Sequence, residues 1–375
     1  MSESIQGEYR DFTSLTPVFI KGLWRSGTTL TQRLLDGHPE LLIYPFELID
    51  NSVYQARILP ELFSIIQKGL SDQDANAIFS CLMEHYPGFS EAVNPPAHLK
   101  SKYLMRGLDP QDFLFYFSTA LSSKAGPWDN SDILKAWMFS YFKLSGVNDF
   151  SNYKSWVIKF PSIRIPLSTY LTFFSNSRII YIRRDPRGFW ASEKHRAAAI
   201  NRFQPYSGLV HLISDIYSYK LSCRQEKLAK ASGIPMVRLR YENLVTNTEH
   251  EMRKIAAFLK IGFNPSLMIP TFFGIPWESN STFNHQEAHR GFIHRQSIDH
   301  WKDAIGWHEK FLIESRLAKE MLSLRYIRMI HFQRLRNFLW RQCLHFAKRS
   351  PCHQNRITSA RERRESTLDN NSVAY

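Results

Sequence analysis

The stretch "KGLWRSGTTLTQRLLDGHP", Lys21 to Pro39, decides the fold. Gly22 and Gly27 stand at the spacing of the phosphate-binding loop G-x-x-x-x-G-K-[ST], but Thr28 occupies the place of the lysine. The residues before it, "PVFIKG" (17–22), are an apolar, β-branched run that reads as a strand. A strand, a tight turn and a helix starting near Thr28 aim the backbone N–H groups of Ser26 to Thr29, and the positive end of the helix, at one point. An anion belongs there. Thr28 and Thr29 add hydroxyl donors, and Arg25 adds a charge-assisted hydrogen bond. A glycine-containing turn without a ligand is the plain alternative for this loop taken alone.

Three further runs, "SWVIKFP" (155–161), "SRIIYIRRD" (177–185) and "PMVRLRYENL" (235–244), read as strands, each followed by a helical pattern. The alternation predicts an α/β fold: a P-loop-like parallel sheet with helices on both faces. Thr246 and Glu249 are spaced as a capping box opening the helix "EMRKIAAFLKI". Residues 48–150 read as a long, mainly helical insertion, rich in Phe, Tyr and Leu and interrupted at "YPGF", "NPP" and "AGPWD". Residues 1–16 read as a tail before a domain spanning 17–326.

With 375 residues, 43% apolar and 14% aromatic, the chain has globular composition. "MSESIQGEYRDFTSLTP" lacks the order of a signal peptide, and no early apolar run reaches the ~20 residues that span a bilayer. A cytoplasmic chain is expected. Cys81, Cys223, Cys343 and Cys352 have neither disulfide-scaffold density nor zinc spacing. Of the net charge of +14, much belongs to the end: from Arg325 onward there are 11 Lys/Arg against 3 Asp/Glu, leaving 37 against 31 before it. Residues 327–375 read as a basic C-terminal extension, first helical and then polar and disordered. A last helix docked on the domain is the preferred reading; peripheral contact with an anionic membrane, or a grip on nucleic acid, is the alternative.

A second anion seat is legible in "RRDPRGFWASEKH". Arg184 ends a strand, and Ser192, eight residues on, lies in the second or third turn of the next helix, so the two converge on one phosphate beside the sheet edge. Asp185 follows the same strand, but its arginine neighbours mark a phosphate seat rather than a magnesium seat. Two seats on neighbouring strand ends imply a ligand with two separated anionic groups.

In "WRSGTT" and in the Arg184/Ser192 pair the sequence resembles the sulfotransferases that use PAPS (3′-phosphoadenosine-5′-phosphosulfate). "RYENLV", "FLKI" and "HRQSIDHWKDAI" continue the resemblance, which touches residues 17 to about 326 at intervals. It implies that Arg25, Ser26, Gly27, Thr28 and Thr29 hold the 5′-phosphosulfate, that Arg184 and Ser192 hold the 3′-phosphate, and that Tyr241 and Arg295 border the nucleotide. The plain alternatives are a core tyrosine and a solvated loop arginine. The missing lysine then marks a loop for a ligand ending in sulfonate that needs no metal, and no metal site is assigned.

Cytosolic small-molecule members carry K-T-H-x-P after the second strand; here the segment is "IKFP", with Lys159 and no histidine base. The pattern is closer to tyrosylprotein and carbohydrate sulfotransferases, whose base is a glutamate shortly after the first helix. "IYPFELID" offers Glu47, one residue displaced from that spacing. The resemblance implies Glu47 as base, with Arg25 and Lys159 on the leaving phosphate. For Glu47 the alternative is a carboxylate stabilising a helix N-terminus; for Lys159, a surface lysine. The expected reaction moves a sulfonate from PAPS to an acceptor hydroxyl on a carbohydrate, phenol or lipid. A P-loop kinase and a non-catalytic basic binding module are the rival classes. Nucleic acid is not an expected partner, and the acceptor and oligomeric state are not legible.

Overall fold

Thr16–Gly22 forms β1, the central strand of a five-stranded parallel sheet. The computed structural model describes residues 2–47, 75, 109–124, 128–160, 176–199, 207–277 and 291–327. They divide into two compact units, each described by itself: Met1–Arg183, Arg224–Ser279 and Glu287–Ile293 form the first, and Arg184–Cys223, Asn280–Gln286 and His294–Tyr375 the second. The basic extension beyond residue 327 lies outside the described residues, as do residues 48–108 of the insertion apart from Ala75.

In the first unit β1 is followed by α2 (Thr28–Leu35), β2 (Leu41–Glu47), α3 (Pro110–Ser122), α4 (Asn130–Leu144), β3 (Ser155–Lys159) and β4 (Arg178–Arg183). β5 (Met236–Arg240), α7 (Tyr241–Thr246) and α8 (Thr248–Leu259) complete the layers. α1 (Ser2–Ser14) precedes β1, where the sequence reads as a tail; its Ile5, Tyr9 and Phe12 are buried in the core.

The strand order is β2-β3-β1-β4-β5, all parallel. Side chains alternate across β1 and β3, so both faces need a cover. Phe19, Trp156 and Ile158 join Phe12, Phe113, Phe117, Trp137 and Phe139 on one face. Val18, Ile20, Val157, Ile180 and Ile182 pack with α2 and α8 through Leu34, Leu35, Met252, Ile255 and Leu259 on the other. Each fully buried side chain of this size contributes about 1.5–3 kcal/mol by leaving water. Much of the aromatic content of the insertion, in its described part, is thereby used in the core.

The strand β2 is absent from the sequence reading for a physical reason. Pro45 interrupts its pattern, and proline is tolerated because β2 is an edge strand that pairs only with β3, with a register shift between Ile43 and Glu47. The capping box expected at Thr246 and Glu249 does not form. Thr246 ends α7, its hydroxyl donating back to the carbonyl of Glu242 (2.9 Å), and Asn247 precedes α8. Glu249 pairs with Arg253 instead.

Beyond α8, β6 (Thr271–Phe272) and β7 (Ile275–Pro276) make a short antiparallel hairpin. The second unit contains α5 (Pro186–Ala199), α9 (Trp301–Ala304), α10 (Trp307–Arg316), α11 (Ala318–Ser323) and a 3-10 turn at Arg295–Ile298. α6 (Ser207–Ala231) crosses the boundary between the units. Glu309 ties α10 to α5: its carboxylate accepts from Trp190 Nε1 (2.9 Å) and Lys194 Nζ (2.9 Å).

Candidate functional site

The connection from β1 runs toward β2 on one side of the sheet and the connection from β4 runs to β5 on the other, so the carboxyl ends of β1 and β4 flank a topological switch point. The loop Leu23–Gly27 opens there. Gly22 has no room for a side chain, since a Cβ would lie 2.6 Å from the carbonyl oxygen of Ile182 on β4. Gly27 caps α2 at φ 97°, and a Cβ there would lie 2.5 Å from Cδ2 of Tyr241. The Tyr241 ring, at the start of α7, therefore packs directly under the turn. Gly27→Ala is expected to lower the thermal midpoint by a few degrees, the scale of about 1–3 kcal/mol of backbone strain and overpacking. An unchanged midpoint would show that the turn relaxes without cost.

Arg25 also adopts a left-handed backbone (φ 60°), rare for a side chain of its size. Ser26 is buried, and its N–H donates to the carbonyl of Leu23 (3.2 Å). That amide closes the turn, so it is removed from the anion donors expected from the sequence. The amides of Thr28 and Thr29 stand in the first turn of α2, where no intrahelical acceptor exists. Thr28 is buried beside them.

Lys159 ends β3, next to β1. It is 3% exposed, which removes the surface-lysine alternative, and its Nζ donates to Thr29 Oγ1 at 2.7 Å. The loop and Lys159, assigned separately from sequence, thus meet. Glu47 ends β2 in register with Lys159; it belongs to a strand rather than opening a helix, and its side chain lies outside the description. The last turns of α2 hold this strand end: Gln32 Nε2 donates to the carbonyl of Tyr44 (2.6 Å) and Arg33 Nη2 to that of Pro45 (3.2 Å).

Two further cations lie on β1 and β4: Lys21, which the sequence reading passed over, and Arg183, read there as one of the arginines marking a phosphate seat beside Asp185 but held by a carboxylate. Lys21, hidden in an apolar run, is 1% exposed with Nζ 3.8 Å from the centre of the Phe160 ring. Burial pushes its pKa well below the ordinary lysine value. Arg183, at the end of β4, is buried in a pair with Glu226 (2.7 Å), which also accepts from Arg238.

Within the second unit, Arg184 and Ser192 are both buried. A Cβ on Gly188 would lie 3.2 Å from Arg184 Nε, so the guanidinium crosses the first turn of α5 at Gly188. Gly188 and Ser192 are four residues apart on one helix face, which brings arginine and serine to the same side. Tyr219 donates its hydroxyl to the Arg184 carbonyl (2.8 Å), and Arg184 Nη2 donates to the carbonyl of Ser297 (2.8 Å). Arg295 opens that same 3-10 turn and is exposed. Asp185 accepts from the Arg187 backbone N–H (2.8 Å) and pairs with its guanidinium (2.6 Å). Among the described residues, no three His, Cys, Asp or Glu side chains gather as a metal site would require.

The pattern of the Sulfotransferase family matches residues 17–265. Omega-hydroxy-beta-dihydromenaquinone-9 sulfotransferases of Mycobacterium bovis and Mycobacterium tuberculosis are each 24% identical over 256 residues, 66% of this chain and 63% of theirs. The match therefore spans less than two thirds of those relatives' length. Among solved structures, the sulfotransferase domain of the Synechococcus PCC 7002 olefin synthase aligns with a TM-score of 0.45 at 17% identity, over 81% of this chain and 95% of that one. The sulfotransferase domain from the curacin biosynthetic pathway aligns with a TM-score of 0.42 at 19% identity, over 81% and 98%. The family pattern runs over most of the chain, from β1 and its loop to the residues just beyond α8, and on that match the chain belongs to the sulfotransferase family.

Proposed function

We propose that the protein transfers a sulfonate group from PAPS to an acceptor hydroxyl. The observation that carries this is the meeting of Lys159 with Thr29 at the mouth of a phosphate-type loop that lacks the NTPase lysine. Loop amides and Lys159 suit the phosphosulfate end. Arg184 and Ser192 are assigned to the 3′-phosphate on the sequence resemblance and on their common helix face, with Arg295 proposed to reach the same phosphate and Tyr241 proposed to line the nucleotide. In the step, the acceptor oxygen bonds to sulfur as the bond from sulfur to the bridging phosphate oxygen breaks. The hydroxyl proton passes to Glu47, and the charge appearing on the phosphate is met by Lys159 and Arg25. Residues 48–150 are proposed as the acceptor side of a 17–326 transferase domain. The mycobacterial relatives are named for a hydroxylated menaquinone, which favours an apolar alcohol as acceptor over a sugar.

The test is ligand binding without magnesium. PAP (adenosine 3′,5′-bisphosphate) is expected to raise the thermal midpoint and AMP to leave it unchanged; equal stabilisation by both would remove the 3′-phosphate seat, and ATP–magnesium binding in place of PAP would favour the kinase reading. Arg184→Ala removes a charge-assisted contact of roughly 1.5–3 kcal/mol, so PAP affinity is expected to fall by about one to two decades in calorimetry. Unaltered affinity would show the wrong residues to be paired.

A further inference from the structure

Large apolar side chains stand in solvent around the β6–β7 hairpin: Ile269 is 49% exposed, Phe273 57%, Ile275 61% and, from the segment alongside, Phe292 61%. The hairpin that carries them is held firmly. Asp36, capping the far end of α2, accepts from the Thr271 hydroxyl (2.7 Å) and from the Gly274 N–H (2.9 Å). The Trp277 N–H donates to the Pro270 carbonyl (2.9 Å), and the Gly291 N–H to that of Trp277 (2.8 Å). Gly291 is in contact range of Ile269 and Pro276, where a Cβ would lie 3.2 and 3.3 Å away. The Arg33 guanidinium covers the Phe272 ring at 4.0 Å. Phe273 sits at the turn with φ 54°, a conformation that aromatic residues rarely adopt. An aromatic tip kept outside by a buried carboxylate is a built feature, unlike scattered surface leucines.

We propose that this hairpin seats in the interfacial layer of an anionic lipid membrane. Three observations choose a bilayer over a protein partner. The apolar group is a narrow tip on two-residue strands, far below the 20–30 residues a side of a stable protein interface. From Lys260 to Trp277 the sequence holds no carboxylate, and Lys260 is its one charged residue; the buried Asp36 carboxylate that grips the hairpin is occupied by its Thr271 and Gly274 donors. The chain as a whole carries +14, which draws it to an anionic surface. The apolar tip then supplies what charge alone does not, a contact that survives salt. The inference does not rest on sulfonate transfer, since its residues lie at the C-terminal end of α2 and beyond α8, away from the loop.

The test uses the full chain and vesicles of phosphatidylcholine with about one third phosphatidylglycerol. In high salt, where attraction of the basic extension is screened, the double substitution Phe273→Ser with Ile275→Ser is expected to lower the partition coefficient about tenfold or more. Vesicles should also slow amide hydrogen exchange across 269–277 in the unsubstituted protein, a readout that does not depend on any variant folding. Equal partitioning of both proteins, absent partitioning, or unprotected hairpin amides would each overturn the proposal. So would sedimentation equilibrium showing a dimer that the double substitution dissociates, because the tip would then belong to a second copy of the chain.

Discussion

Glu47→Gln is expected to lower turnover by about two to four decades while leaving PAP affinity within about twofold, because a lost proton-transfer group costs that much and the nucleotide does not need the carboxylate's charge. β2 ends at Glu47 in register with Lys159, and the two backbone carbonyls just before Phe46 are tied to α2, one through Gln32 and the other through Arg33. A carboxylate on this strand end is therefore carried by the same helix whose first turn forms the phosphate loop. Gln keeps the side chain's size, so a purely structural Glu47 would lose about 1 kcal/mol of stability or less and almost no turnover. Single-turnover rates with labelled PAPS separate the cases. Near-normal rates in folded Glu47→Gln would remove Glu47 from the mechanism.

Local chemistry explains which parts of this arrangement are legible in sequence. The loop after β1 follows from Gly22 and Gly27, whose positions answer to contacts with Ile182 and Tyr241 that no side chain would allow. Four of the five parallel strands announce themselves as apolar runs. β2 hides because an edge strand can carry Pro45, whereas α1 was legible in principle: Ile5, Tyr9 and Phe12 stand at i, i+4 and i+7 on one face, although polar residues dominate the segment. Thr246 misleads because a threonine hydroxyl bonds back to the i−4 carbonyl as readily as it caps forward. At the site, identities are readable and partners are not. Nothing in the sequence separates Arg183 and Arg187, held by carboxylates, from Arg184, whose guanidinium lies at Gly188 and reaches a backbone carbonyl. Lys21 was legible in principle: a lysine inside "PVFIKG" is the one charge in a buried strand.

Lys159 is where binding and chemistry separate. On the proposed reading, a buried ammonium fixed by the Thr29 hydroxyl would be in place before the sulfonate leaves and would need no reorganisation as charge builds on the bridging oxygen. Lys159→Met keeps the apolar stem and removes only the charge. Turnover is expected to fall by about two to three decades, the size found when one preorganised donor to a developing anion is deleted. PAP affinity is expected to fall by about tenfold, because on the same reading the lysine would also touch the ground-state phosphate, and a single charge-assisted contact contributes that much. Thr29→Val gives the control: the ammonium stays but loses its anchor, so turnover should drop less than in Lys159→Met, with PAP binding weakened only slightly. Equal losses in turnover and PAP affinity for Lys159→Met would make Lys159 a binding group alone. Unchanged kinetics in a folded Lys159→Met protein would detach β3 from the reaction and leave Arg25 as the cation on the leaving phosphate.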